Sequence, residues 1–177
     1  AGYVHIGMDH FALPDDSLAS AQRLGTMTRN FQGYSTHGNS DLVGLGVSAI
    51  SRVDDCYAQN PTALADYEAA LDAGRLATVK GIRLSLDDQL RRRAIERLMC
   101  DMALDLEALG HEFDLDATLW LEDALTRLAP SIEDGLIERH GSRLVVTPRG
   151  RLLIRHLAMA FDARLPKQAQ ESYSRIL

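Results

Sequence analysis

Apolar positions follow two different rhythms along this chain. Up to about Leu84 they come in short runs separated by glycines and polar loops; beyond it they recur at helical spacing. Tyr3-Val4-His5-Ile6-Gly7-Met8 reads as a buried strand ending at Asp9-His10. Pro14-Asp15-Asp16-Ser17 then predicts a turn into a helix over Leu18 to Arg23 with Ser17 as its cap. The polar, aromatic, glycine-punctuated stretch from Asn30 to Ser40 predicts a loop or an irregular strand. Asp41 to Ser51 contains a second apolar run and predicts a second buried strand. Pro61 to Ala73 predicts a short helix, with Asn60 as cap and Gly74 closing it.

Ser85-Leu86-Asp87-Asp88 has the form of a capping box, and the helix it opens sets Leu90, Ala94, Leu98 and Met102 on one stripe. Arg91, Arg92, Arg93 and Arg97 fall mostly off that stripe and predict a solvated basic face. Asp116 to Ala129 predicts another helix, carrying Leu119, Leu121, Leu125 and Leu128 and ended by Pro130. A turn over Ser131 to Asp134 closes at Gly135. Leu136 to Arg139 and Arg143 to Thr147, joined by His140-Gly141-Ser142, predict a β-hairpin. A last helix is expected over Pro148 to Leu165, with proline in its first turn. Helices, a hairpin and a closing helix give a winged-helix-like outline.

Composition narrows the classes. The 177 residues are 46% hydrophobic and 25% charged, enough for a sizeable core in one domain or two small ones. Net charge is −6, and residues 1–84 and 85–177 each contribute −3. A uniformly acidic chain disfavours nucleic acid as a partner. No apolar run reaches the roughly 20 residues that span a bilayer, so a membrane partner is not expected. The chain opens at Ala1 without Met and enters an apolar run with no basic flank, which reads as a piece of a longer protein rather than a signal peptide. Cys56 and Cys100, far apart, suggest reduced thiols in a reducing compartment, here the cytoplasm.

Several constellations invite chemistry. Gly44-Leu45-Gly46-Val47-Ser48-Ala49 matches G-x-G-x-x-A, with Asp66 further on. The apolar run continues through Ile50 and Val53, however, so a strand that lets a ligand or another backbone approach closely is the better reading than a dinucleotide turn. The cysteines and six histidines lack metal-ligand spacing, and no metal site is expected. Asp9-His10 at a strand end suits either a structural pair or a catalytic one. Phe31-Gln32-Gly33-Tyr34 offers a stacking face and an amide that both donates and accepts; it suits a nucleoside or planar ligand, or else a packed surface loop. A DNA-reading helix is disfavoured, since Glu122 and Asp123 stand beside only Arg127. Arg139, Arg143, Arg149, Arg151 and Arg155 nonetheless concentrate positive charge near the hairpin.

The segments IGMDHFALPDD, RNFQGYSTHG, DLVGLGVSAIS, DCYAQN and DGLIE, with VTPRGRLLIRHLAMAFD near the end, together resemble the oxygen-independent coproporphyrinogen III oxidases. These are radical S-adenosylmethionine enzymes of haem synthesis. The related haem-chaperone branch carries a His-Asn…Tyr-Trp pattern where this chain has Asn30-Phe31-Gln32-Gly33-Tyr34, which favours the oxidase branch. The resemblance implies an α+β or α/β fragment. Residues 1–84 would be the last strands and helices of an incomplete barrel, and residues 85–177 a mostly helical, winged-helix-like C-terminal domain. It implies S-adenosyl-L-methionine and a four-iron four-sulfur cluster as cofactors, coproporphyrinogen III as substrate, and the protein's own N-terminal barrel domain as partner. The family's cluster cysteines, spaced C-x-x-x-C-x-x-C, are absent, so the cluster ligands would lie upstream and this piece alone would be inactive. Phe31, Gln32 and Ile50 match positions of the family's second S-adenosylmethionine site. A haem-chaperone relative or a stand-alone winged-helix binding module are the alternatives. Residues 1–84 on their own would expose sheet edge and tend to associate.

Overall fold

The computed structural model describes residues 1–38 and 40–165. They fall into two compact units, one made of residues 1–36 with the chain from Leu90 onward, the other of residues 37–89.

The chain begins with β1 (Val4–Gly7) and β2 (His10–Ala12), an antiparallel hairpin turning at Met8 and Asp9. α1 (Ser17–Leu24) follows. Its cap is Asp16, not Ser17: Asp16 is extended, and its carboxylate accepts the Leu18 N–H at 2.7 Å, which leaves Ser17 as the first helical residue. The Gln22 carboxamide donates to the Ile6 carbonyl at 2.6 Å and so fastens α1 to β1. The polar stretch after it is better ordered than a loop. β3 (Thr28–Asn30) and β4 (Gly33–Ser35) pair in antiparallel register around a two-residue turn, Phe31-Gln32.

Residues 37–89 carry β5 (Ile50–Val53), β6 (Cys56–Gln59), α2 (Leu64–Asp72) and β7 (Lys80–Arg83), with the strands in antiparallel order β5-β6-β7. The strand expected within Asp41 to Ser51 begins only at Ile50; before it lies a single bridge between Leu42 and Arg52. Gly46 and Ser48 have positive φ, at 95° and 61°, which no regular ladder accommodates, and the backbone of this run bonds to side chains and to the Pro61 and Asn60 backbone instead. Asn60 is one of those side chains rather than a helix cap. Its amide donates to the carbonyls of Gly44 and Gly46 at 3.3 and 2.9 Å, while α2 starts later behind Ala63. The helix does close at Gly74, whose N–H meets the Leu71 carbonyl.

From Ser85 onward come α3 (Leu86–Asp101), β8 (Ala103–Asp105), α4 (Leu106–Phe113), α5 (Ala117–Trp120), α6 (Glu122–Glu133), β9 (Ile137–His140), β10 (Arg143–Val146), a 3-10 turn (Gly150–Leu153) and α7 (Ile154–Met159). The capping box forms: Ser85 and Asp88 exchange N–H bonds through their side chains at 3.0 and 3.2 Å. β8, β10 and β9 make an antiparallel sheet in that order, and the expected hairpin is its outer pair. Two helices differ from expectation. The segment 116–129 breaks at Leu121 (ψ 20°) into α5 and α6, and Pro130 lies inside α6, which runs on to Glu133. The final helix is shorter than Pro148 to Leu165. The Gly150 N–H is taken by Thr147 Oγ1, Leu153 has ψ 16° at the junction, and α7 ends at Met159.

The Leu90–Ala94–Leu98–Met102 stripe is buried, in one core with Leu104, Leu121, Leu128, Ile137, Leu144 and Phe161. The other side of α3 is covered too. Cys100 packs among Ile6, Ala12, Ala19, Ala21 and Met27 from the first 36 residues. That second contact corrects the solvated basic face. Arg97 donates to the carbonyls of Gly25 and Met27 at 3.0 and 2.6 Å, Arg93 pairs with Glu96 and Glu112, and Arg91 grips Asp123 with two bonds. Among the described residues the strands form four small antiparallel sheets and no closed barrel, and no helix is long and apolar enough to cross a membrane.

Candidate functional site

Phe31 and Gln32 stand at the tip of the β3–β4 hairpin. The turn is set by Asn30, whose carboxamide oxygen accepts the Gln32 N–H at 2.8 Å, a local bond that asparagine favours in turns. Phe31 is 54% exposed. Gln32 is exposed as well, and its carboxamide has no hydrogen-bond partner among the described residues. One aromatic face and one amide with open donor and acceptor sites therefore sit side by side on a short turn. That is a small surface for binding a flat polar ligand.

The flanking residues hold the tip. Tyr34 lies opposite Arg29 in the ladder, so both project from the same face of the hairpin. Its hydroxyl donates to the Met99 carbonyl on α3 at 3.3 Å and rests on Gly7, where any Cβ would collide with it. Burial pushes the Tyr34 phenol above its ordinary pKa, with Cys100 adding to the rise and Arg29 and Arg155 opposing it; at neutral pH it stays a protonated donor. His10 meets the Tyr34 ring edge-on at 5.2 Å between centroids, and its Nε2 lies 3.4 Å from where a Gly33 side chain would start.

Asp9 and His10 are thereby brought to the hairpin, but not as a working pair. His10 Nδ1 is 3.1 Å from Asp9 Oδ1, yet Nδ1 has no directed hydrogen bond, and Asp9 is 85% exposed. A contact of that kind is screened by water and does not orient a base.

Ile50, the third residue singled out, is half-buried at the start of β5, in the unit formed by residues 37–89, and pairs with Gln59. The backbone that approaches the Gly44 position closely is Ile50's own: a Cβ there would stand 2.8 Å from the Ile50 carbonyl. The glycine run is thus a loop strapped to its own sheet. Gly44 N–H also donates to Ser51 Oγ at 3.0 Å and Gly46 N–H to the Tyr67 hydroxyl at 3.1 Å. No strand-to-helix turn of the dinucleotide kind is present at this run.

Neither cysteine offers a thiolate. Burial pushes the Cys100 thiol up to about 12, and Cys56 donates to Asp55 at 3.2 Å, a bond that raises its pKa. Among the described residues no group of His, Cys, Asp and Glu could hold a metal ion. An iron–sulfur cluster therefore does not fit the residues present. A cleft of about 210 Å³ beside α3 and β8 is lined by Arg97, Asp101, Glu112 and Arg143, but Arg97 already pairs with Asp101 and Glu112 with Arg93. On α6, Arg127 is likewise used internally, by Asp123 and the Ala160 carbonyl.

Sequence reading passed over Arg29. The signal was present: Arg29 and Tyr34 flank the turn symmetrically, and a two-residue turn forces them to face each other.

Known proteins line up with this chain end to end. The model of the HemN C-terminal domain matches residues 84–153. An oxygen-independent coproporphyrinogen III oxidase from Pseudomonas aeruginosa is 47% identical over 177 residues, covering 100% of this chain and 38% of that protein. Its namesake from Escherichia coli is 46% identical over 178 residues, covering 100% and 39%. The chain thus spans about two fifths of the length of these curated relatives. A solved structure of coproporphyrinogen III oxidase from Escherichia coli, described as a radical SAM enzyme, superposes with a TM-score of 0.89 at 48% identity, over 93% of this chain and 38% of its own. Along its whole length the chain is similar to part of the oxygen-independent coproporphyrinogen III oxidases, and its residues 84–153 match the HemN C-terminal domain.

Proposed function

We propose that this chain is part of an oxygen-independent coproporphyrinogen III dehydrogenase, which oxidatively decarboxylates two propionates of coproporphyrinogen III to vinyl groups and so yields protoporphyrinogen IX in haem synthesis. The observation that carries this reading is identity near 46% along the whole chain to proteins of that name. In this reading residues 1–84 close the catalytic barrel. Residues 85–177 form a winged-helix-like domain; the order helix–strand–helices–hairpin and the three-stranded β8-β10-β9 sheet support that outline. The whole enzyme works in the cytoplasm.

Phe31, Gln32 and Ile50 contribute to a second S-adenosylmethionine site. Support comes from the exposed Gln32 amide and the partly exposed Phe31 ring, which offer the donor, acceptor and aromatic face that an adenine or a sulfonium amino acid requires. S-adenosylmethionine and a four-iron four-sulfur cluster would supply the radical chemistry, with the cluster held by residues other than these. What this chain's residues do is bind and orient. Phe31 covers an apolar face, Gln32 fixes a polar edge, and Tyr34 holds the turn on α3.

The test uses the native-length gene product, purified without oxygen. Bound iron together with S-adenosylmethionine-dependent decarboxylation of coproporphyrinogen III is the expected result. Gln32→Ala should then weaken S-adenosylmethionine binding about tenfold, the worth of one or two hydrogen bonds. Iron without turnover would move the protein to the haem-chaperone branch, and no iron at all would remove the proposed chemistry.

A further inference from the structure

Arg29 carries a charge that meets the face of an aromatic ring but no described carboxylate. Its guanidinium lies 5.7 Å above the centre of the Tyr34 ring, and Nε is sealed from solvent without a hydrogen-bond partner. Only its backbone N–H is engaged, by Glu96 at 3.4 Å. The Glu96 carboxylate itself is held by Arg93 at 2.9 Å. Arg29 forms no ion pair with any described carboxylate, although its residue is half-buried. A half-buried guanidinium whose sealed Nε–H is unmatched, and whose charge no described carboxylate pairs, is an arrangement that an anionic ligand completes.

The rest of the neighbourhood agrees in sign. Arg155, exposed on α7, acts with Arg29 on the Tyr34 phenol. Of the acidic groups nearby, Asp9 points largely into water and Glu96 is held by Arg93. The platform is fixed, because Tyr34 is tied to Met99 and wedged on Gly7. Arg29 also sits two residues from Phe31 on the same strand and turn, within reach of one ligand's far end.

We propose that Arg29 is the anion seat of this site: its guanidinium receives a carboxylate of the ligand that lies on Phe31 and Gln32. This rests on the function proposed above. A planar guanidinium takes a carboxylate with two parallel bonds, which lysine cannot imitate. Two ligands of that reading carry a suitable carboxylate, the amino-acid end of S-adenosylmethionine and a propionate of the tetrapyrrole.

The experiment measures equilibrium binding to the full-length, anaerobically assembled protein. The probes are S-adenosylmethionine against its decarboxylated form, and coproporphyrin III against its tetramethyl ester. The parent should prefer one acid over its carboxylate-free counterpart about tenfold more strongly than Arg29→Gln does, and the pair that responds names the source. Arg29→Lys should keep only part of that preference. Because preference is a ratio within one protein, a partly destabilised variant still reports it, and far-ultraviolet circular dichroism checks its fold. Equal preference in parent and Arg29→Gln would overturn the anion seat while leaving the proposed function intact, and so would equal weakening toward acid and ester. A parent that binds none of the four probes would overturn both.

Discussion

Two stretches of this molecule use apolar residues in opposite ways. From Leu90 to Phe161 most leucines are interior: Leu90, Leu98, Leu121 and Leu128 on helices or their junctions, and Leu104 and Leu144 on strands, are all essentially inaccessible. From His37 to Gln89 the large apolar side chains face outward, among them Val43, Leu45, Leu64, Leu76 and Val79, and the interior holds little beyond Pro61, Ala70, Ala77 and Leu84. The first region is held by its core. The second is held by hydrogen bonds: a three-stranded ladder, plus side chains that satisfy an irregular loop. An apolar residue in a periodic helix thus reports burial here, whereas one in an aperiodic loop reports nothing by itself.

The sharpest way to break this contrast is to empty one core position. Leu98 lies in the larger core on α3 and has no exposed surface, so Leu98→Ala should cost about 2–5 kcal/mol through lost transfer energy and the cavity left behind. Urea unfolding of the parent and variant checks it; a cost below about 1 kcal/mol would show that this core is not what holds the region.

Asn60→Ala tests the other region. It strips the Gly44 and Gly46 carbonyls of a shared donor and should cost about 1–3 kcal/mol. Amide hydrogen exchange should accelerate across residues 44–61 and stay unchanged along α3. Faster exchange in both places would mean that the two stretches do not open separately.

The same contrast explains what was legible in the sequence. The stripe on α3, the capping box at Ser85 and the 137–146 hairpin are local patterns whose partners lie in the pattern itself, and they appear where expected. Asn60 does not cap, and the strand expected within Asp41 to Ser51 starts only at Ile50, because the outcome depends on groups far along the chain. Asn60 reaches back to Gly44 and Gly46, and positive φ at Gly46 and Ser48 stops the ladder. The arginines of α3 were misread for a related reason. Nothing within the helix reveals that the first 36 residues cover its second side and offer the Gly25 and Met27 carbonyls to Arg97. At the site, Phe31 and Gln32 could be picked out by type, but that they form the turn itself follows from the pairing of Asn30 with Gly33.

A smaller effect is expected at the surface of the first region. Burial alone would raise the Asp123 pKa, but the bonds from Arg91, helped by Arg127, hold it below the ordinary carboxylate value. The folded carboxyl therefore binds its proton less readily than the unfolded one. Its stabilisation is complete above the unfolded pKa of about 4 and fades as pH falls through the lower folded value. Asp123 is 45% exposed, so solvent screening leaves about 0.2–1 kcal/mol to the pair. Asp123→Asn should lower the urea midpoint at pH 7, and the gap to the parent should narrow below about pH 4. A gap that stays constant with pH would assign the loss to packing.

The smallest effect is also the most pointed. Leu45 is 85% exposed, in the loop that Asn60, Ser51 and Tyr67 secure through its backbone. If hydrogen bonds alone hold that loop, its side chain contributes nothing to stability, and Leu45→Ser should change unfolding by no more than about 0.5 kcal/mol in either direction. Hydrogen exchange at Gly44 and Gly46 should be the same in parent and variant, because their partners are untouched. A loss of more than about 1 kcal/mol would require Leu45 to be buried in the native protein, and the contrast between the two stretches would then be one of where the apolar surface is covered rather than whether it is.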